Sequence, residues 1–188
     1  MTRKPSLAAV FALTIASLVH AQDKTGAKPP AAPPPPPKMS AEGRKFLDGW
    51  IGAWTSTDAV YSMGGQKGQG SLKMSCESVS SGWGTLCKGT FSAAGMPPSD
   101  ATFLMAWDLA TGQGHMFEVA DTAEVHDHSG KWTSDKSIAL VRQGKTLGGK
   151  IEKDACTATW ASASELKFDC VGTQAGATVW TFTSTSRK

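Results

Sequence analysis

The sequence predicts an all-β domain of about eight to ten antiparallel strands preceded by one short helix, and three observations predict it. Turn signals recur about every 8 to 12 residues, at Gly64-Gly65, Ser81-Gly82, Pro97-Pro98, Thr111-Gly112, Ser129-Gly130, Gly148-Gly149 and Gln174-Ala175-Gly176. The segments between them are rich in Gly, Ser and Thr and carry no long helical period. The 4 cysteines fall into two pairs, each straddling a turn signal at its midpoint. Folding each segment as a hairpin sets Cys76 opposite Cys87 and Cys156 opposite Cys170, the separation a disulfide requires.

The first elements address a compartment. Arg3 and Lys4 precede an apolar run from Leu7 to Val19, and Val19-His20-Ala21 fits a small-residue cleavage site. This predicts a signal peptide over residues 1–21. No cysteine stands at the cleavage point to take a lipid, and no later segment approaches the roughly 18 apolar residues of a membrane span. The expected product is exported to the periplasm or beyond, not a lipoprotein, and oxidising conditions there let the cysteines pair. Residues 22–39 include an unbroken run from Pro33 to Pro37 and predict an extended spacer rather than a packed element.

Residues 40–188 make one domain, large enough to bury roughly two-thirds of its unfolded surface. A net charge of +3 without a basic run gives no support to nucleic-acid binding. Ser40 predicts a helix cap, and Phe46, Leu47, Trp50 and Ile51 form one apolar stripe. In the first hairpin Leu72, Met74, Cys76, Cys87 and Phe91 share a face opposite Lys73, Ser75, Glu77, Lys88 and Thr90, with Leu86 the exception. In the second, Trp160 opposes Leu166 and Ala158 opposes Phe168, while Thr157, Thr159, Glu165, Lys167 and Asp169 face out. A slip of one residue would invert both faces, so cysteine symmetry and polarity select the same register. Zinc held by the cysteines is disfavoured, because no C-x-x-C spacing occurs.

Phe46-Leu47-x-Gly49-Trp50-x-Gly52-x-Trp54, a short helix entering a Gly-x-Trp strand, resembles the start of lipocalins and their calycin relatives. Together with Trp107-Asp108-Leu109-Ala110-Thr111-Gly112 and Gly130-Lys131-Trp132, it is similar to a bacterial, often exported, lipocalin-like family known only as a domain of unknown function. The resemblance covers most of residues 44–185. It implies a closed or nearly closed antiparallel barrel with Trp54 packed across the floor. Lipocalins commonly lay a late arginine over that tryptophan. Arg187 is the only nearby candidate, and its place almost at the chain end counts against the contact.

A barrel of this size either fills with its own side chains or leaves room for one small ligand. Alternation makes Trp54, Leu104 or Met105, Phe117, Trp160, Phe168, Trp180 and Phe182 interior candidates. Asp58 shares parity with Trp54, and His115 with Phe117, so each is a candidate polar group of the lumen, with the wet barrel rim as its alternative place. His126 and His128 stand at i and i+2, where a strand would aim both at one metal. Ser129-Gly130 directly after them predicts a solvated hairpin tip instead, and no third ligand is evident in sequence. No cofactor is expected. Catalysis finds no Gly-x-Ser-x-Gly elbow, no zinc-protease motif, no phosphate loop and no free thiol. The expectation is a monomeric, non-catalytic barrel binding a small apolar or aromatic molecule. The alternative is a side-chain-filled barrel that serves as an envelope structural or interaction module.

Overall fold

The computed structural model describes Pro35 and residues 37–188, apart from Met96 and Thr122. The expected signal peptide and most of the expected spacer lie outside the described residues. Helix α1 (Ala41–Trp50) precedes ten strands: β1 (Gly52–Met63), β2 (Gln66–Val79), β3 (Gly84–Ala93), β4 (Ser99–Asp108), β5 (Gln113–Ala120), β6 (Val125–Trp132), β7 (Ser137–Lys145), β8 (Ile151–Ser162), β9 (Glu165–Gln174) and β10 (Ala177–Arg187). Every neighbouring pair is antiparallel, and β1 pairs with both β2 and β10, which closes the barrel. Closure gives every strand two neighbours, although β6 and β7 pair only from Ser129 with Val141 to Trp132 with Ile138. Among the described residues no helix is long and apolar enough to cross a membrane.

The helix begins where the sequence places it. Ser40 accepts a hydrogen bond from the Gly43 N–H at 3.0 Å, and the stripe of Phe46, Leu47 and Trp50 is buried. Such a helix is too short to hold its shape in water, so packing on the barrel must stabilise it. Both predicted cross-strand pairs are disulfides, Cys76–Cys87 and Cys156–Cys170, with Cα atoms 4.0 and 4.1 Å apart. All four cysteines are buried, so the registers built on them hold, including Trp160 against Leu166 and Ala158 against Phe168.

Two local features depart from simple alternation. The register of β1 shifts between Ser56 and Ala59 against β2 and between Thr55 and Val60 against β10. This bulge inverts facing beyond Ser56, so Asp58 is exposed outside the barrel instead of sharing the face of Trp54. Ser129 and Gly130 belong to β6 and make no turn. Gly130 is there for close approach, since a Cβ would stand 1.7 Å from the Ala139 carbonyl oxygen. The chain reverses at residues 133–136 instead.

α1 closes one end of the barrel. Phe46 and Leu47 pack inward, Thr85 Oγ1 donates to the Leu47 carbonyl at 3.0 Å, and Trp160 Nε1 donates to the Gly49 carbonyl at 2.9 Å. Trp50 meets Trp160 edge to face with ring centres 5.3 Å apart, and Trp132 lies 5.4 Å from Trp160. Trp54 is fully buried beneath, with its Nε1 donating to the Trp50 carbonyl at 2.6 Å. The ring of Trp54 does carry a cation, but it is Lys188, with Nζ 4.3 Å from the ring centre. Arg187 turns away and pairs with Glu165 at 3.0 Å. Burial pushes the Lys188 ammonium below its usual 10.5.

Candidate functional site

The strands run between the α1 end and an end that is helix-free among the described residues, and the barrel interior changes character along that direction. Five of the seven tryptophans, Trp50, Trp54, Trp107, Trp132 and Trp160, gather at or beside α1. Toward the helix-free end Tyr61, Phe91, Trp180 and Phe182 also face inward, yet each is only partly buried, as is Phe168, which reaches Trp50 of α1 at 6.2 Å. Edge-to-face contacts link Tyr61 to Phe91 at 5.7 Å, Phe91 to Phe182 at 5.8 Å, and Phe182 to Phe168 at 6.5 Å. Trp180 lies across β9, where the glycine at position 172 clears its ring: a Cβ there would approach Trp180 Nε1 to 2.0 Å.

Against this aromatic wall stands a polar one from β5 to β8. Alternation along β8 sends Glu152 and Asp154 inward with Cys156 and Ala158, and along β7 it sends Arg142 inward with Ile138 and Leu140. Arg142 and Asp154 are direct cross-strand partners, and the Arg142 guanidinium donates to Asp154 Oδ2. Glu152 lies 3.7 Å from Arg142 and accepts hydrogen bonds from Gln174 Nε2 at 2.9 Å and Trp180 Nε1 at 3.2 Å. His128 is buried, its Nε2 is 3.5 Å from Asp154 Oδ2, and neither ring nitrogen has a hydrogen-bond partner. Asp154 Oδ1 is likewise buried and unpartnered. His126 stands nearer the mouth, 3.6 Å from Glu118 and 3.5 Å from Glu124.

Electrostatics follow from these neighbours. Burial opposes ionisation of Asp154, but His128 and Arg142 outweigh it and hold the carboxyl below the usual 3.8. The Glu118 carboxylate beside His126 outweighs burial and Arg142 and raises its pKa above 6.5. A cleft of about 180 Å³ at the mouth is lined by Glu124, Val125, His126, Arg142, Lys145 and Leu147, among others. A larger groove of about 430 Å³ is bordered by outward residues of β7, β8 and β9, including Val141, Gln143, Lys153 and Val171.

Several expectations change in this light. Trp54 and Trp160 face inward but belong to the α1 closure, Phe168 bridges Trp50 of α1 to Phe182, and Trp180 lies toward the other end. His115 and Phe117 do not enter the lumen. Phe117 is 39 % exposed, stacked on the His115 ring at 5.6 Å, and His115 Nδ1 is 3.1 Å from Asp127 on the outer face. Gly114, Met116 and Glu118 take the inward positions of β5, because Phe46 fills the space above Gly114. Met105, not Leu104, points inward on β4. His126 and His128 lie within a strand and face the interior rather than a solvated hairpin tip, and Asp154 is the third ligand-type group beside them.

Sequence reasoning missed Asp154, Arg142 and Glu152, although the register set by Cys156–Cys170 already contained the signal. Counting back from Cys156 in twos reaches Asp154 and Glu152. No protein-family model matches the chain, and no curated protein is significantly similar to it.

Proposed function

We propose that the chain is an exported, lipocalin-like, non-catalytic barrel that binds a small apolar or aromatic molecule through its helix-free end. One observation carries the reading: inward-facing Tyr61, Phe91, Trp180 and Phe182 are only partly buried, whereas Phe46, Trp50 and Trp54 are sealed at the α1 end. Partly wet aromatic surface inside a barrel mouth gains free energy when an apolar ligand covers it, about 25 cal/mol per Å² of surface removed from water. The resemblance of the opening motif to lipocalins supports the same reading. Export is supported by the predicted signal peptide and by two buried disulfides, which fit an oxidising compartment.

The experiment pairs native mass spectrometry of protein purified from its own cells with titration of an apolar fluorescent dye. A bound small molecule, or saturable dye uptake displaced by apolar competitors, is expected. No bound mass and no dye uptake would refute ligand binding. A second reading, an envelope interaction module, draws on the outer groove beside Val141 and Val171, which are 56 % and 39 % exposed. It requires dye or partner binding that responds to Val141→Asn and ignores Phe182→Asn.

A further inference from the structure

We propose that His126, His128 and Asp154 bind one divalent transition-metal ion of the zinc class inside the barrel, beneath the helix-free mouth. Donor atoms of the three side chains all lie within 4.8 Å of one another. A tetrahedral zinc with bonds of about 2.0 to 2.1 Å sets its ligands about 3.4 Å apart, so the site closes by roughly 1 Å on binding. His126, partly exposed at the mouth, is the side chain free to make that adjustment.

The unpartnered atoms carry the argument further than proximity does. His128 is 3 % exposed and Asp154 2 %, yet both ring nitrogens of the first and Oδ1 of the second lack a hydrogen bond. A buried polar atom without a partner costs about 1 to 3 kcal/mol, and a single cation can relieve two of these, one ring nitrogen of His128 and Asp154 Oδ1. The surroundings attract one. Glu118, Glu124, Glu152 and Asp154 converge here against the buried guanidinium of Arg142, with Lys145 at the rim. Arg142 is a positioning residue: its hydrogen bond to Asp154 Oδ2 fixes the carboxylate, as groups behind metal ligands commonly do.

The donor set selects the ion. Two imidazoles favour zinc, cobalt, nickel or copper(II) over calcium or magnesium, which prefer oxygen. No thiolate is offered to a softer ion, since all four cysteines are in disulfides. Three protein ligands leave one position for water or another small ligand. This inference does not depend on the apolar-ligand reading, because the aromatic wall lies on other strands.

The test titrates the purified full chain with Zn²⁺ by calorimetry and with Co²⁺ by visible absorption, without dye. One equivalent should bind, with the intense visible bands of tetrahedral cobalt. His126→Ala and His128→Ala should each weaken binding at least tenfold, with folding verified by near-ultraviolet circular dichroism. His115→Ala, on the outer face, should leave binding unchanged. Absence of saturable one-equivalent binding by the wild-type protein would overturn the proposal, as would full binding by His126→Ala, the more exposed and better tolerated variant. A loss in His115→Ala equal to that in His126→Ala would also overturn it, by moving the ion to the surface.

Discussion

Asp108 shows how one side chain ties a motif to a pH response. Its Oδ1 accepts from the Ala110 N–H at 2.8 Å, its Oδ2 accepts from Thr111 Oγ1 at 2.6 Å, and its carbonyl accepts from Gly112 N–H at 2.8 Å. Gly112 completes the turn at φ 63°, a conformation that costs glycine little. The Thr111 hydroxyl, ahead of the backbone donors, holds the Asp108 carboxyl below the usual 3.8. A depressed pKa means that the ionised turn stabilises the fold above the unfolded value, and that this contribution is lost as pH falls through the folded one. Asp108→Asn should therefore lower the denaturant midpoint at pH 7, with the gap to wild type narrowing in acid. Equal gaps at pH 7 and at the acid limit of folding would show that charge plays no part. The Lys188 contact is a second test at this scale: Lys188→Ala should cost about 0.5 to 1 kcal/mol in a denaturant melt, whereas Arg187→Ala, outside the barrel, should leave the Trp54 environment unchanged in near-ultraviolet circular dichroism.

At the scale of elements, the hairpins were legible and the β5 to β7 arc was not. Cys76–Cys87 and Cys156–Cys170 set registers that alternation then extended, because cross-strand neighbours must share a face. β5 resisted because its outward face carries Phe117 and Val119, while its inward face carries Gly114 and Glu118, which inverts the usual polarity. The cause is tertiary: Phe46 of α1 occupies the space over Gly114. β6 was misread because a glycine that admits a neighbouring strand looks in sequence like a glycine that makes a turn, so Gly130 hid the strand bearing His126 and His128. The polar wall was half legible, in that the second disulfide already implied inward Asp154. Two predictions belong here. Trp160→Ala should destabilise the fold by about 3 kcal/mol, because it removes both the edge-to-face contact with Trp50 and the hydrogen bond to Gly49. In the chain-entropy account each disulfide closes a loop short enough to contribute about 3 kcal/mol, so reduction should lower the melting temperature steeply. Non-reducing peptide maps should hold Cys76 with Cys87 and Cys156 with Cys170.

Across the whole barrel, the excess of tryptophan acquires a structural meaning. Most of these rings build the junction between α1 and the sheet, and toward the other end Tyr61, Phe91, Trp180 and Phe182 remain partly exposed inside. The opening motif pointed to a floor formed by Trp54, and the helix above it makes that end a lid rather than an entrance. Ligand access, if the barrel binds as proposed, therefore runs from the mouth flanked by His126 and Arg142. The most direct measurement is titration of an apolar fluorescent dye into wild type, Phe182→Asn and Val141→Asn, each verified as folded. Uptake by Phe182→Asn should be at least tenfold weaker and uptake by Val141→Asn equal to wild type; the reverse order, or no saturable uptake by wild type, would show that the barrel interior is not the binding site.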